Sequence, residues 1–237
     1  MGELGDRRAR KKAQTRELIR SVAQRRFDDQ GFDGVTIADI ARECDVAVQT
    51  VFNHFATKEE LFFDGRTPWV DGPAEAVRSR TSSVAPLTAL RAHLVDTVTE
   101  LVGSHRCPDR RRYVATLEAS ESLRAHELEL VHQSETNLRE ALREAWAQDQ
   151  SIAPADPASA APVIAAIWMA ASRSLVVTQR PRLGEGADPD LAAAAVMDMA
   201  QRVLSQLELG ANAVHGRTAR LDTGWPQPAP QPVLRAG

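Results

Sequence analysis

The sequence predicts an all-α protein: a small N-terminal three-helix domain joined to a larger helical bundle. Three observations carry that expectation. Apolar residues recur at helical spacing along most of the 237 residues, no stretch alternates like a strand, and no repeat occurs. Within Thr36–Phe55, two short apolar-periodic runs flank a tight joint at Glu43-Cys44-Asp45. Helices this short cannot bury their apolar stripes alone and must pack on a neighbour. Helix, brief turn and helix with polar residues left outward is the helix-turn-helix pattern, whose second helix can enter a major groove.

Composition narrows the function classes. The hydrophobic share of 43% and charged share of 26% are those of a soluble globular protein. With net charge −3, any nucleic-acid role has to come from local charge. Two cysteines, Cys44 and Cys107, argue against a disulfide scaffold and fit a reducing cytoplasm, where both are expected to be inert packing. The basic N-terminus has no apolar segment behind it, so it is not a secretory signal. The longest apolar run, 160–171, is too short to span a bilayer and soon meets Arg173. The expected localisation is cytoplasmic, with no membrane contact.

Residues 1–8 are expected to be a flexible arm, and 9–63 the DNA-binding domain. Between Arg7 and Arg26 lie nine basic residues, Arg7, Arg8, Arg10, Lys11, Lys12, Arg16, Arg20, Arg25 and Arg26, against the single acid Glu17. Leu18, Ile19, Val22, Ala23 and Phe27 recur among them, so the charges ride on an amphipathic helix placed to face phosphate. Gly31 suits the left-handed position that ends it. Thr36 opens the next helix as its cap, with Asp39 at the third position. After the joint comes the second helix, Ala47 to Phe55, whose outward residues include Gln49, Thr50, Asn53 and His54. Gln and Asn can read adenine, Thr can meet a thymine methyl or phosphate, and His can donate to phosphate. Thr57 and Glu60 then have capping-box spacing. With Lys58, that helix start is expected to form a phosphate site.

The run Phe27, Gly31-Phe32, Val35-Thr36, Ile40-Ala41, Val46, Thr50-Val51-Phe52, His54-Phe55 and Lys58-Glu59-Glu60-Leu61 resembles the N-terminal domain of the TetR family of bacterial transcriptional regulators. The resemblance covers about the first quarter of the chain. It implies that Thr36 caps the second helix, that Ala47 to His54, Val48 included, face the groove, and that Phe52 and Lys58 meet the DNA backbone. Two departures stand out. Phe52 replaces the family's usual Tyr, removing a phosphate hydrogen bond, and Ala47 replaces the usual Ser or Thr cap, leaving Asp45 or water to serve.

From 64 to 209 the sequence is expected to form an effector-binding and dimerisation domain. The helix from Thr57 through Phe63 is interrupted by Gly65, Pro68, Gly72 and Pro73, either as a loop insertion or as a hinge or pocket wall that includes Trp69. Stripes at Leu87–Leu101, Pro108–Leu117, Leu123–Trp146, 160–177 and Leu191–Leu209 predict further helices. The helix at 160–177 is apolar nearly all round and must be covered on two sides. The resemblance implies that the last two helices, about 158–177 and 189–208, pair with their twins in a homodimer. Two recognition helices should then fall about 34 Å apart, one turn of duplex. The Pro- and Gln-rich tail, 210–237, is expected to be disordered.

Catalytic signatures are missing from the sequence. Glu129 and His132 make one Glu-x-x-His where a di-iron bundle needs two plus further glutamates, and His93, His105 and His126 are scattered. No metal, cofactor or enzymatic role is expected. Pocket candidates are Trp69, His93, Trp146, Trp168, Met169 and Arg173. Arg173 interrupts an apolar run, so it is either partnered across the dimer or facing an anionic ligand. The expected function is sequence-specific transcriptional regulation through double-stranded operator DNA, with a repressor released by a small-molecule effector. The rivals are a non-specific architectural DNA binder, an activator of the same fold and a helical enzyme.

Overall fold

The computed structural model describes residues 3–104, 107–177 and 189–216. Among them the regular structure is helical: α1 Glu3–Gln30, α2 Ile37–Glu43, α3 Val48–Phe52, α4 Lys58–Phe63, α5 Pro68–Arg78, α6 Pro86–Gly103, α7 Pro108–Ala119, α8 Glu121–Gln148, α9 Pro157–Val177 and α10 Pro189–Gly216. A 3₁₀ turn, Gln150–Ile152, links α8 to α9.

Helix boundaries follow local chemistry. α1 ends at Gly31, whose φ of +77° only glycine adopts without strain, and its N–H returns to the Phe27 carbonyl at 3.0 Å. α2 starts at Thr36, whose hydroxyl accepts from the Asp39 N–H at 3.1 Å while the Asp39 carboxylate accepts from the Thr36 N–H at 3.2 Å. That reciprocal box satisfies two orphan donors at once. α3 begins after Ala47, which supplies no side-chain cap.

The N-terminal core is formed by Ile19, Phe27, Ile40, Val51, Phe55 and Phe62. The same core takes in Tyr113, Leu117 and Leu123 of α7 and α8, so its packing does not close at residue 63. A second core joins Leu90, Leu94, Leu138, Trp146, Trp168 and Leu204 from α6, α8, α9 and α10. α8 lies at the centre of the bundle, against α5 on one side and α9 on another.

Four expectations need correction. The arm expected at 1–8 is helical from Glu3, because α1 continues through its basic start. Of the tail expected to be disordered, 210–216 extends α10, and 217–237 lie outside the described residues. The recognition helix is a five-residue helix, Val48–Phe52, with Asn53 as its C-cap, rather than running to Phe55. At 21 residues and mean hydropathy 1.6, α9 does reach membrane-spanning length, but Ala161, Ala165 and Trp168 pack into the bundle.

The interruption at Gly65–Pro73 is a packed wall. Gly65 turns the chain with φ +70°, Pro68 starts α5, and Pro73 is buried against the bundle. The Ser134 hydroxyl fixes the segment by donating to the Trp69 carbonyl at 3.2 Å.

Candidate nucleic-acid interface and effector cavity

The turn between α2 and α3 is made by Asp45, the one non-glycine with positive φ (52°) among the described residues. A short polar side chain tolerates this conformation better than a branched one. The turn places Val48, Gln49, Phe52 and Asn53 on the exposed side of α3, while Val51 faces the core. Thr50 and His54 are half-buried, and Ala47 and Thr57 are exposed at the flanks. Gln49 Nε2 donates to Asn53 Oδ1 at 3.2 Å, which holds the two amides side by side before any DNA arrives.

Val48 (41% exposed) and Phe52 (44% exposed) leave an apolar strip on α3. Packing gives no reason to expose a phenyl ring there. A strip of this kind suits thymine methyl groups, whereas the amides beside it suit base edges.

The basic residues divide into two sets. Arg16 donates to the His54 carbonyl and to Asp64 Oδ1 (2.5 Å), and its guanidinium lies 4.0 Å from the Phe55 ring centre. Arg20 pairs with Glu17, and Arg25 and Arg26 both pair with Glu43. These four are bound within the protein: Arg16, Arg25 and Arg26 brace α1 against the segments around the helix-turn-helix, and Arg20 pairs along α1 itself. Arg7, Arg8, Arg10, Lys11 and Lys12 are exposed, with no ion pair among the described residues. The cations left exposed and without an ion pair among the described residues are therefore those of the first turns of α1, not the whole run to Arg26.

Two flanking assignments change for similar reasons. Lys58 donates to the carbonyls of Phe32 (2.9 Å) and Val35 (3.0 Å) and sits 4.1 Å over the Phe32 ring, so most of its donor capacity points inward. At the start of α4, Thr57 Oγ1 takes the Glu60 N–H at 3.0 Å, and Glu60 takes the Ala56 N–H at 2.7 Å. Those donors are unavailable to phosphate. His54 is also inward: burial, then Lys12 and Arg16, hold its pKa below the ordinary value, and its Nδ1 is buried without a partner. A neutral ring is a weaker phosphate contact than an imidazolium.

A cavity of about 70 Å³ lies between α5, α6, α7, α8 and α9. Of the six pocket candidates, Trp69, His93, Met169 and Arg173 line it. Trp146 is core, and Trp168 is buried with one edge towards a separate groove of about 550 Å³ between α9 and α10. Burial holds the His93 pKa below its usual value despite Asp96 and Glu75, so its ring is neutral. The ring lies so close to Gly72 that a Cβ there would come within 2.6 Å of Nε2, so a larger residue at 72 would displace the His93 ring.

Tyr113 also lines the cavity, and sequence reasoning passed over it. Its ring stacks on Phe62 of α4 at 5.0 Å and 10°. One side chain thus belongs both to the cavity wall and to the core that carries α3. The sole sequence signal was that Tyr113 is the chain's single tyrosine. Of the cysteines, Cys44 is buried with its thiol pKa raised chiefly by that burial, as inert packing requires, and Cys107 is exposed.

Residues 19–64 match the family described as bacterial regulatory proteins, tetR family. No curated protein sequence matches. Among solved structures, the SmeT–triclosan complex is similar at 19% identity and TM-score 0.51, over 92% of this chain and 99% of that one. NalD, the secondary repressor of the MexAB-OprM multidrug efflux pump in Pseudomonas aeruginosa, is similar at 24% identity and TM-score 0.48, over 81% and 96%. A tetR-family regulator from Mesorhizobium loti is similar at 17% and 0.49, over 84% and 97%.

Proposed function

We propose, on the premise that residues 19–64 match the family described as bacterial regulatory proteins, tetR family, that the chain is a dimeric repressor released from its operator by a small molecule. It is a DNA-binding transcriptional regulator. The DNA part of the proposal rests on α3, where Gln49 and Asn53 read base edges, Val48 and Phe52 meet thymine methyls, and the cations of Arg7 to Lys12 neutralise phosphates.

Dimerisation through α9 and α10 is supported by their exposed apolar residues. Val163 (56% exposed) and Ile167 (48% exposed) on α9 continue into Met199 and Val203 on α10. Apolar side chains left this open on two adjacent helices suit a second copy of the same face.

The observation that carries effector control is the Tyr113–Phe62 stack. The cavity, about 70 Å³, is roughly half the ~150 Å³ that accommodates benzene in an engineered cavity. An effector of ordinary size must therefore push its walls apart. Displacing Tyr113 disturbs Phe62, and with it the seat of α3 and the spacing of the two recognition helices. Moving the dimer from almost wholly bound to almost wholly released requires about 10⁴-fold preference for the released form, about 5.5 kcal/mol.

Fluorescence anisotropy with duplex DNA from upstream of the protein's own coding sequence tests the reading. Asn53→Ala should alter which sequences bind best, and paired substitution of Lys11 and Lys12 by Ala should weaken all duplexes alike. If both variants bind like wild type, α3 is not the reading element.

A further inference from the structure

We infer that the cavity selects an organic anion with an apolar body, and that Arg173 is its charge anchor. The inference rests on reading the cavity as the effector site.

The body is set by the walls. Trp69, Pro73, Leu94 and Val131 present rings and methyl groups, a surface that gains by excluding water from an apolar ligand. The charge preference comes from what interrupts them. Two guanidiniums, Arg110 and Arg173, line the cavity against one carboxylate, Glu127, so the lining carries a net positive charge. Arg110 is already engaged 4.7 Å over the Tyr113 ring. Arg173 makes no hydrogen bond or ion pair among the described residues.

Its position is chemically pointed. α9 is apolar from 160 to 171, and Met169, one helical turn before Arg173, lines the same cavity. The exposure of Arg173 puts it at the rim, where it can meet a carboxylate end-on while the apolar body lies inside. The neutral His93 ring, 3.4 Å from Thr97 Oγ1, adds a polar contact deeper in the cavity without a second charge. A neutral ligand of the same shape would gain the walls but offer Arg173 no anionic acceptor, so the charge–charge attraction and the bidentate carboxylate fork are lost.

The test uses two probes that differ mainly in charge, phenylacetate and phenylacetamide. Each is titrated calorimetrically into the full-length protein without DNA at neutral pH. Wild type should bind phenylacetate about tenfold more tightly than the amide, the scale of one partly solvated charge-assisted hydrogen bond. Arg173→Gln should remove that difference by weakening the acid far more than the amide, and Arg173→Lys should retain part of it. An unchanged melting temperature of the unliganded R173Q protein shows that it folds. Equal binding of acid and amide to wild type overturns the inference, as does a retained preference in R173Q or no measurable binding of the acid. If Arg173 instead pairs across a dimer, R173Q will raise the dimer dissociation constant and leave the probe preference intact, which also overturns it. Operator release is scored separately: an acid that binds through Arg173 but releases no DNA upholds the anion site and defeats the ligand-released repressor.

Discussion

Lys58 holds the loop before α2 in place, with its ammonium on the carbonyls of Phe32 and Val35 and over the Phe32 ring. Lys58→Ala leaves two half-buried carbonyls without their donor and should cost about 1–3 kcal/mol of stability, read by urea unfolding. Its effect on the salt dependence of DNA binding should be small. Lys11→Ala and Lys12→Ala should each flatten the slope of log K against log salt by about 1. Arg16 belongs with Lys58: Arg16→Lys keeps the charge but loses the planar fork that reaches both the His54 carbonyl and Asp64, so operator affinity should drop with little change in salt slope. His54 and His93 both have depressed pKa values, chiefly from burial. As pH falls below their ordinary value of about 6.5, the unfolded chain takes up protons that the folded one refuses. Their contribution is therefore fully present above that pH and is lost as the solution is acidified. Melting temperature should decline from pH 7 to pH 5.5, and less steeply in a His54→Gln variant.

At the scale of elements, what was legible in the sequence follows the range of the interaction. Gly31 and Thr36 act on backbone groups within four residues, so residue type and spacing were enough to place the end of α1 and the start of α2. Lys58 reaches carbonyls 23 and 26 residues away, and Arg16 reaches 38 and 48, and no local pattern signals such partners. Their positive charge alone suggested phosphate. The tryptophans make the same point: Trp69 and Trp146 look alike in sequence, yet one lines a cavity and the other is core. Ala47 leaves α3 without a side-chain cap although its backbone is already extended. Ala47→Ser should add roughly 1 kcal/mol of stability, measured by thermal melting. α7 and α4 meet at Tyr113 and Phe62, and that contact is the proposed route between the sites. Tyr113→Ala empties a buried position in the core that carries α3, so it should lower operator affinity even without effector, and the further change on adding effector should shrink.

At the scale of the molecule, the described chain is a basic helix start and a reading helix at one end, and an apolar two-helix face at the other. The net charge of −3 hides this division, because the cations gather in the first turns of α1. In the proposed reading neither suffices alone: one α3 covers a half-site, and a second copy docked through α9 and α10 supplies the other. Ile167→Glu places a charge in that face and should yield monomers by sedimentation, with operator affinity falling far more than non-specific binding.

The most direct measurement is a footprint of the wild-type protein on the DNA upstream of its own coding sequence, with and without effector. The predicted result is two protected half-sites about 10 base pairs apart, centre to centre, lost on adding the effector and absent for Ile167→Glu. Uniform weak protection along the fragment, or one half-site protected equally by the dimer and by Ile167→Glu, would contradict it.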